Sequence, residues 1–586
     1  VNQDTRSIAI STHRALTIWT VLFNQKYIIY PNGDDDVIKA IIYAKAKNIA
    51  VAVRTGGHQY SGASSTYGDN IQLALSNTYV DFKWENTDCT SVTVGISYSL
   101  NVFNAKLRGK KRFVPHGQCS HVHLGGYVQT GGYGQLGRSF GLLADHVQKF
   151  RIITAEGQPR EIHRGVVQDK DLFFAVIGGS PGNFGVLTHV TLKVYCDDDH
   201  QLSRGHKIIY LYDGDRLKRL LDVMVRMAND KSFPADYDYC VTMLSAASLV
   251  LSSFTPDLDV QMRQDHPDLY GDDGRFLWPP IIVVYAQWAN LEGKGQIYDG
   301  KFFNEIKLAG GEDQGIPFLG IRVDDSEPKP LSELTSDWIF PNVREFEMLY
   351  IKCIYMSNSE TLETDQWTDW VCDRIHEIQR NPFNGCYLSV QIQHFGGDKS
   401  RCYQNSKNGT TSFSWRDSSL CCVLDCFHCG YGSPKDTAEQ WQHENDTGVG
   451  RNGARFCTDD RRVLWGSHDL NLDTVHEYYY DDSPTKHQRL CRIKREIDPE
   501  GLFTPNGFCV GAQPITRRIS SAAEMLTSQL ESASIARRSL PVLERTHPTI
   551  SIPLLDRLPE MSVASIRGGA PCERTSPVFG GGVQRW

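Results

Sequence analysis

The sequence lacks a bilayer-length apolar run. Its best uninterrupted stretch, Ile281 to Tyr285 behind Pro279 and Pro280, is far short of the ~18–20 residues that cross a membrane. It also lacks a cationic surplus: 61 Lys+Arg against 69 Asp+Glu leave a net charge of −8, not the basic footprint of a nucleic-acid binder. Neither membrane nor nucleic acid is therefore expected as a partner. No internal repeat is visible, and 40% hydrophobic against 22% charged residues is too apolar for a disordered chain. At 586 residues the chain is several times a typical ~150-residue domain, so two or more cores are expected.

Lysine is missing altogether from residues 513–586, which hold nine Arg, six acidic residues and many Ser and Pro with little periodicity. This reads as a disordered tail. Cysteine, by contrast, is not scarce. Of 16 in the chain, seven (Cys386, Cys402, Cys421, Cys422, Cys426, Cys429, Cys457) crowd into one stretch beside the sequons Asn408-Gly409-Thr410 and Asn445-Asp446-Thr447. A C-x-x-C pair there could hold zinc, but without a distant second pair, disulfides in a secreted glycoprotein are the expectation. The chain begins at Val1, which leaves a leader peptide open.

The first 200 residues alternate helix and strand patterns. Val37, Ile38, Ile41 and Ile42 repeat at helical spacing over Asp34 to Asn48 behind aspartates suited to an N-cap. Strands are expected at Ile49–Val53, Val92–Ile96 and around Val190, Leu192 and Val194, the last with the period-two alternation of a half-buried strand. A helix is expected at Leu100–Leu107 and a hairpin after Ile152-Ile153-Thr154, turning at Glu156-Gly157. Residues 200–460 are loop-rich, with helices over Arg216–Ala228 and Thr364–Gln379 and strands over Ile281–Gln287 and Tyr387–His394. A last helix spans Arg489–Ile497, stopped by Pro499 and Gly501. The fold class is α+β.

Three glycine-dense turns carry the chemistry. Arg54-Thr55-Gly56-Gly57-His58-Gln59-Tyr60-Ser61-Gly62 follows a buried-type strand, and glycines there let backbone N–H groups approach an anion. Gly117-Gln118-Cys119-Ser120-His121-Val122-His123-Leu124-Gly125-Gly126 leads into Gly131 to Gly137. There Gly132, Gly134 and Gly137 match G-x-G-x-x-G, with Glu156 about twenty residues on. The loop before that motif and Gly141 after it argue against a nicotinamide dinucleotide site. Zinc on Cys119, His121 and His123 would lack the paired-ligand spacing, and no metal is expected. The third turn runs from Gly178 to Gly185. Three such turns suit an extended ligand threaded along the backbone.

Together with Tyr479-Tyr480 and Arg489 to Phe508, these segments resemble the vanillyl-alcohol-oxidase/p-cresol-methylhydroxylase superfamily of FAD-linked oxidases, and within it the berberine-bridge-enzyme-like branch. The resemblance implies a p-cresol-methylhydroxylase-type FAD-binding domain of two α+β subdomains over 1–200. It implies an inserted substrate domain over 201–460, an antiparallel sheet backed by helices, and a segment 461–512 that completes the FAD domain. It implies FAD bonded to His58 and Cys119, with Arg54, Thr55, Gly56, Gly57, Gln59, Gly62, Gly117, Val122, Gly125, Gly126, Gly134, Asn183, Gly185, Val186 and Asn506 around it.

The implied reaction is hydride transfer from an alcohol or amine C–H of a carbohydrate, alkaloid or aromatic small-molecule substrate to the flavin. Molecular oxygen is the acceptor, since the small Val122 resembles the oxidases of the branch. A base must take the substrate proton, and the family's tyrosine position holds Ser467. His468 is the substitute candidate, with Tyr479 and His394 as further ones. Ser120 and His123 also depart from the family, which has proline and glycine there. Alternatives are a non-redox cyclase that keeps the flavin, or a flavin-free binding protein on the same scaffold. The protein is expected to be a monomer.

Overall fold

In the computed structural model the described residues are 25–59, 64–66, 68–245, 280–293, 295–311, 318–338, 349–357, 366–380, 385–428, 432–447 and 485–511, with a few isolated positions and short pieces between them. Gly62, Tyr478, Ser467, His468, Cys429, Cys457 and the 513–586 tail lie outside them.

The first unit begins with a parallel three-stranded sheet in the order Gln25–Ile29, Gly68–Ala74, Val51–Arg54. Helix Asp34–Lys47 covers it, burying Val37, Ala40, Ile41 and Ala44, while Ile42 faces solvent. Its N-cap is Gly33, and the three aspartates occupy the first turn instead, where a carboxylate still meets the positive end of the helix. Asp34 accepts hydrogen bonds from Tyr79 and Arg151, and Asp36 accepts from Asn32. The expected capping aspartates thus tie the helix to its surroundings.

A second, antiparallel sheet runs Phe82–Trp84, Ser91–Gly95, Val186–Lys193, Val147–Ile153, Pro159–His163. The last two strands form the expected hairpin. Val186–Lys193 sits at the centre, and Thr188 and Thr191 are buried with the apolar residues. The expected alternation holds at Lys193, exposed beside buried Leu192, and gives way at Thr191, which is buried and meets Thr93 across the ladder at 2.6 Å. Tyr195 pairs with Phe113 in a separate ladder.

Residues 485–511 close this unit. Leu502 accepts a backbone bond from Val51 at 2.8 Å, Phe503 accepts from the Asn183 side chain at 2.6 Å, and Arg489 and Arg492 both grip Asp171. Lys494 is buried against Asp498 at 2.5 Å and also donates to the Asn183 and Phe503 carbonyls. Removing either member of such a buried pair strands a charge, at a cost of about 3–5 kcal/mol.

The second unit is an antiparallel sheet in the order Phe318–Val323, Arg204–Leu211, Ile281–Trp288, Tyr237–Leu244, Cys386–His394, Leu420–His428, Leu349–Ser357. Helices Gly214–Asn229, Lys301–Gly310, Trp367–Gln379 and Ser433–Thr447 cover one face through Leu220, Met224, Phe303, Trp367, Ile375 and Trp441. The first is capped by Asp213, which accepts from Arg216 N–H at 2.7 Å. The opposite face meets Phe113, Leu136 and Phe140 of the first unit.

The cysteine-rich stretch is strand Leu420–His428. Leu420, Cys422, Leu424 and Cys426 point to the helix-covered core, and Cys421 and Val423 to the other, the alternation a strand imposes. Elsewhere Cys89, Cys119, Cys196, Cys240, Cys402 and Cys509 are free thiols. Among the described residues no group of three or more His, Cys, Asp or Glu is placed to hold a metal, and no helix is long and apolar enough to cross a membrane.

Candidate functional site

The three glycine-dense turns converge on one cavity of about 200 Å³. The first turn leaves strand Val51–Arg54, whose end is fixed by Leu75 N–H donating to the Arg54 carbonyl at 2.7 Å. Gly57 then adopts a φ of 70°, a left-handed conformation that side chains disfavour, and this swings His58 and Gln59 to the cavity wall. The second turn packs directly on the first: a Cβ on Gly125 would lie 2.9 Å from the Thr55 methyl. Gln129 ties in the third, its amide donating to the Gly125 carbonyl at 2.7 Å and accepting from Gly182 N–H at 3.1 Å.

His58, Cys119 and Val122 line this one cavity, together with Thr55, Gly56, Gly57, Gln59, Gly117, Gly125, Gly126 and Gly134. Cys119 is exposed and the His58 side chain half-exposed, so both nucleophiles are accessible. The rings of His58 and His123 flank Gly56, each with a carbon within 2.9 Å of where its Cβ would stand. His123 thus fills space that glycine would leave open. Burial, helped by the charge of His121, pushes its pKa down to about 4, which keeps it neutral at physiological pH.

Gly134 is required for a different reason. A Cβ there would sit 1.9 Å from the His116 carbonyl oxygen, so backbone crosses backbone behind the Cys119 loop. The G-x-G-x-x-G match is this crossing, and only a short 3-10 turn at Leu143–His146, not an α-helix, follows it.

Several proposed residues lie outside the wall. Asn183 is buried and bonded to Phe503, and Asn506 bridges the Ser65 carbonyl and Phe508 N–H. Both hold the C-terminal segment onto the first unit. Gly185 packs on Ile152 and Ile153, Val186 starts the central strand, and the Arg54 guanidinium lies against Gly57. These residues build the frame of the cavity.

The candidate bases fare differently. Tyr479 is buried in the apolar core of the first unit with Tyr480, so packing against that unit, not catalysis, accounts for it. His394 is fully buried, and alternation along Cys386–His394 places it with Leu388, Val390 and Ile392 on the helix-covered side. Desolvation and the Arg138 charge hold its pKa far below the usual histidine value. Gln391, on the opposite side of that strand, does reach the cavity. The alternating Ser389, Gln391 and Gln393 carried the signal for it. The sequence reading also passed over Gln118, Tyr127, Gln129, Tyr133 and Leu187 as lining residues. Tyr127 donates to the Tyr133 carbonyl at 2.6 Å, and burial raises its pKa far above the usual phenol value.

The wall tests well for a flavin dinucleotide. Among the described lining residues there is no Asp, Glu, Lys or Arg. Amide side chains and backbone N–H groups supply the polarity, as anion-holding turns do. The Gln59 and Gln118 amide nitrogens and His123 Nδ1 are buried without a hydrogen-bond partner among the described residues, an arrangement that buried polar groups rarely tolerate without a ligand. A Cβ on Gly126 would meet nothing within 4 Å, so that glycine borders open cavity.

Comparison with known proteins supports FAD as the group. Residues 25–163 match the FAD binding domain family. That stretch is similar to FAD-binding domains, those of berberine-bridge-enzyme-like proteins among them. The chain is 35% identical over 171 residues to Berberine bridge enzyme-like 12 of Arabidopsis thaliana, a match covering 28% of this chain and 31% of that protein. It is 36% identical over 173 residues to the FAD-linked oxidoreductase malF of Malbranchea aurantiaca, covering 28% and 29%. The matches thus span less than a third of either relative. The fold carries further: the carbohydrate oxidase from Microdochium nivale, solved with a substrate analogue, superposes with a TM-score of 0.60 over 83% of this chain and 92% of that one, at 16% identity. The α+β fold of the FAD domain and its companion sheet is therefore shared well beyond the matched sequence.

Proposed function

We propose that the protein is an FAD-dependent oxidase whose flavin is bonded to both His58 and Cys119, and that it oxidises an alcohol or amine C–H of a carbohydrate, alkaloid or aromatic compound. The observation that carries this reading is the meeting of an accessible imidazole and an accessible thiol on one glycine-walled cavity, beside amide donors that have no partner among the described residues. When bound, the flavin supplies a two-electron acceptor that takes hydride from the substrate and passes the electrons to O2 as H2O2.

The chain's own residues do the rest. His58 and Cys119 anchor the ring, while the Gln59 and Gln118 amides and the backbone of the three turns hold its polar parts. Val122 leaves room beside the ring for oxygen. Gln391, projecting from the large sheet, orients the substrate. His468 is proposed as the acceptor of the substrate proton, since Tyr479 and His394 are packed away from the cavity.

Purified protein precipitated with acid should retain its yellow absorbance, and peroxide should appear on a panel of sugars and benzylic alcohols. Colour that washes out would overturn the covalent attachment. Bound flavin without peroxide on any substrate it reduces would overturn the oxidase assignment.

A further inference from the structure

The chain's two glycosylation sequons, Asn408-Gly409-Thr410 and Asn445-Asp446-Thr447, look alike as sequence. Their surroundings are opposite. Asn408 is exposed, as are Lys407 and Gly409 on either side of it, and Gly409 borders open space, since a Cβ on it would meet nothing within 4 Å. The Asn408 side-chain oxygen accepts from Thr410 N–H at 3.0 Å and from the Thr410 hydroxyl at 2.8 Å. That leaves the side-chain nitrogen directed away from the turn. The segment is anchored nearby, with Thr410 held by Arg164 and Ser412 by the Phe174 carbonyl, so the loop presents the asparagine from a fixed base.

Asn445 has none of this freedom. It is fully buried in the last turn of helix Ser433–Thr447, and its oxygen accepts from Arg374 Nε at 2.7 Å. Arg374 in turn donates to the Trp441 carbonyl at 3.1 Å and pairs with Glu444 at 2.9 Å. The Asn445 nitrogen is enclosed by protein, with no volume for a sugar. A glycan there would require the end of the helix to leave the sheet and the Arg374 guanidinium to lose its buried acceptor, a loss that is costly inside a protein.

We propose that Asn408 is the N-glycan acceptor of this protein and that Asn445 is a structural residue bearing only the appearance of one. The transfer forms one bond, from the Asn408 amide nitrogen to the anomeric carbon of an oligosaccharide carried on a lipid pyrophosphate. The amide gives up one hydrogen as a proton, the lipid pyrophosphate leaves, and no electrons change hands. The surface near Asn408 then carries a bulky hydrophilic group, while the cavity wall, to which Asn408 does not contribute, keeps its composition.

The test uses the full chain behind a secretory leader in a eukaryotic host. Soluble protein is recovered from the secretory fraction or the medium, deglycosylated enzymatically in heavy-oxygen water, and mapped by peptide mass. Isotope-marked conversion to aspartate is expected at 408 and none at 445. Asn408→Gln should remove the whole glycan from the intact mass, leaving that of the unglycosylated chain plus one methylene group, whereas Thr447→Ala should leave the mass of the glycan unchanged. Unmarked Asn408 in protein recovered this way, or marked Asn445 in its soluble folded fraction, would overturn the proposal.

Discussion

Two stretches of this chain are dense in reactive side chains, and the fold uses them in opposite ways. Around Gly56 to Gln59 and Gly117 to Gly126, glycines strip the backbone bare and leave His58 and Cys119 on an open cavity. Along Leu420–His428, three cysteines in nine residues lie inside a strand covered on both faces. The difference is not in the reactive residues but in what flanks them. Thiols between β-formers and leucines are small hydrophobes that pack, whereas a thiol among glycines is left accessible.

The largest expected effect sharpens that contrast directly. Replacing both His58 and Cys119 by Ala should abolish acid-stable flavin, while each single variant should retain a flavin adduct through the remaining residue, located by peptide mapping. Cys422→Ala with Cys426→Ala should leave the flavin content at the wild-type level. Loss of bound flavin in that second pair would break the comparison.

Next in size is Gly134→Ala. With a carbonyl oxygen 1.9 Å from the new Cβ, backbone must move, and a cost of about 3 kcal/mol or more is expected from denaturant unfolding, near the upper end for point substitutions. Gly126→Ala, at the open edge of the cavity, should cost about 1 kcal/mol or less in stability yet weaken flavin retention. The two alanines thus separate the glycine needed by the fold from the glycine needed by the ligand.

A smaller, graded effect comes from pH. His116, His123 and His146 are buried neutral, with pKa values pushed down to about 4 by desolvation. The unfolded chain takes up their protons near the ordinary value of about 6.5, so it binds more protons than the native state between about pH 4 and 6.5. Stability should therefore fall as pH drops through that window, by up to about 1.4 kcal/mol per pH unit for each histidine. His146→Gln should flatten the slope by about one such increment, read from urea midpoints. A slope unchanged by that variant would show that His146 is protonated in the native state as readily as in the unfolded one.

The smallest effect belongs to the strand cysteines. Cys421→Ala or Cys422→Ala should lower stability by roughly 1–2 kcal/mol from lost packing, with the same result under reducing and oxidising conditions. A stability difference that depends on reductant would bring a crosslink back into the account.

The sequence carried the elements whose signals are local. Helices Gly214–Asn229 and Thr485–Ile497 and strands Ile281–Trp288 and Cys386–His394 lie within a few residues of where the sequence patterns put them, because burial of one face spaces a helix's apolar residues and a continuous apolar run marks a strand buried throughout, as Ile281–Trp288 is. The glycine turns were legible because backbone geometry admits few other residues. What escaped is non-local. Thr188 and Thr191 are buried by what packs over the two faces of the sheet from elsewhere in the chain, which no alternation within the strand records. His394 and Gln391 differ by three positions, and only the side of the sheet chosen by the helices decides which of them sees the cavity. The cysteine cluster gave no sign of the strand it lies on, because residue type was weighed without its strand-forming neighbours.

The central claim is that one ring system is bonded to the chain at both His58 and Cys119, and intact mass spectrometry of the native polypeptide under denaturing conditions tests it most directly. The account predicts a mass increased by one FAD, with peptides containing residues 58 and 119 joined through it after digestion. An unmodified mass from protein that still binds FAD reversibly would contradict it.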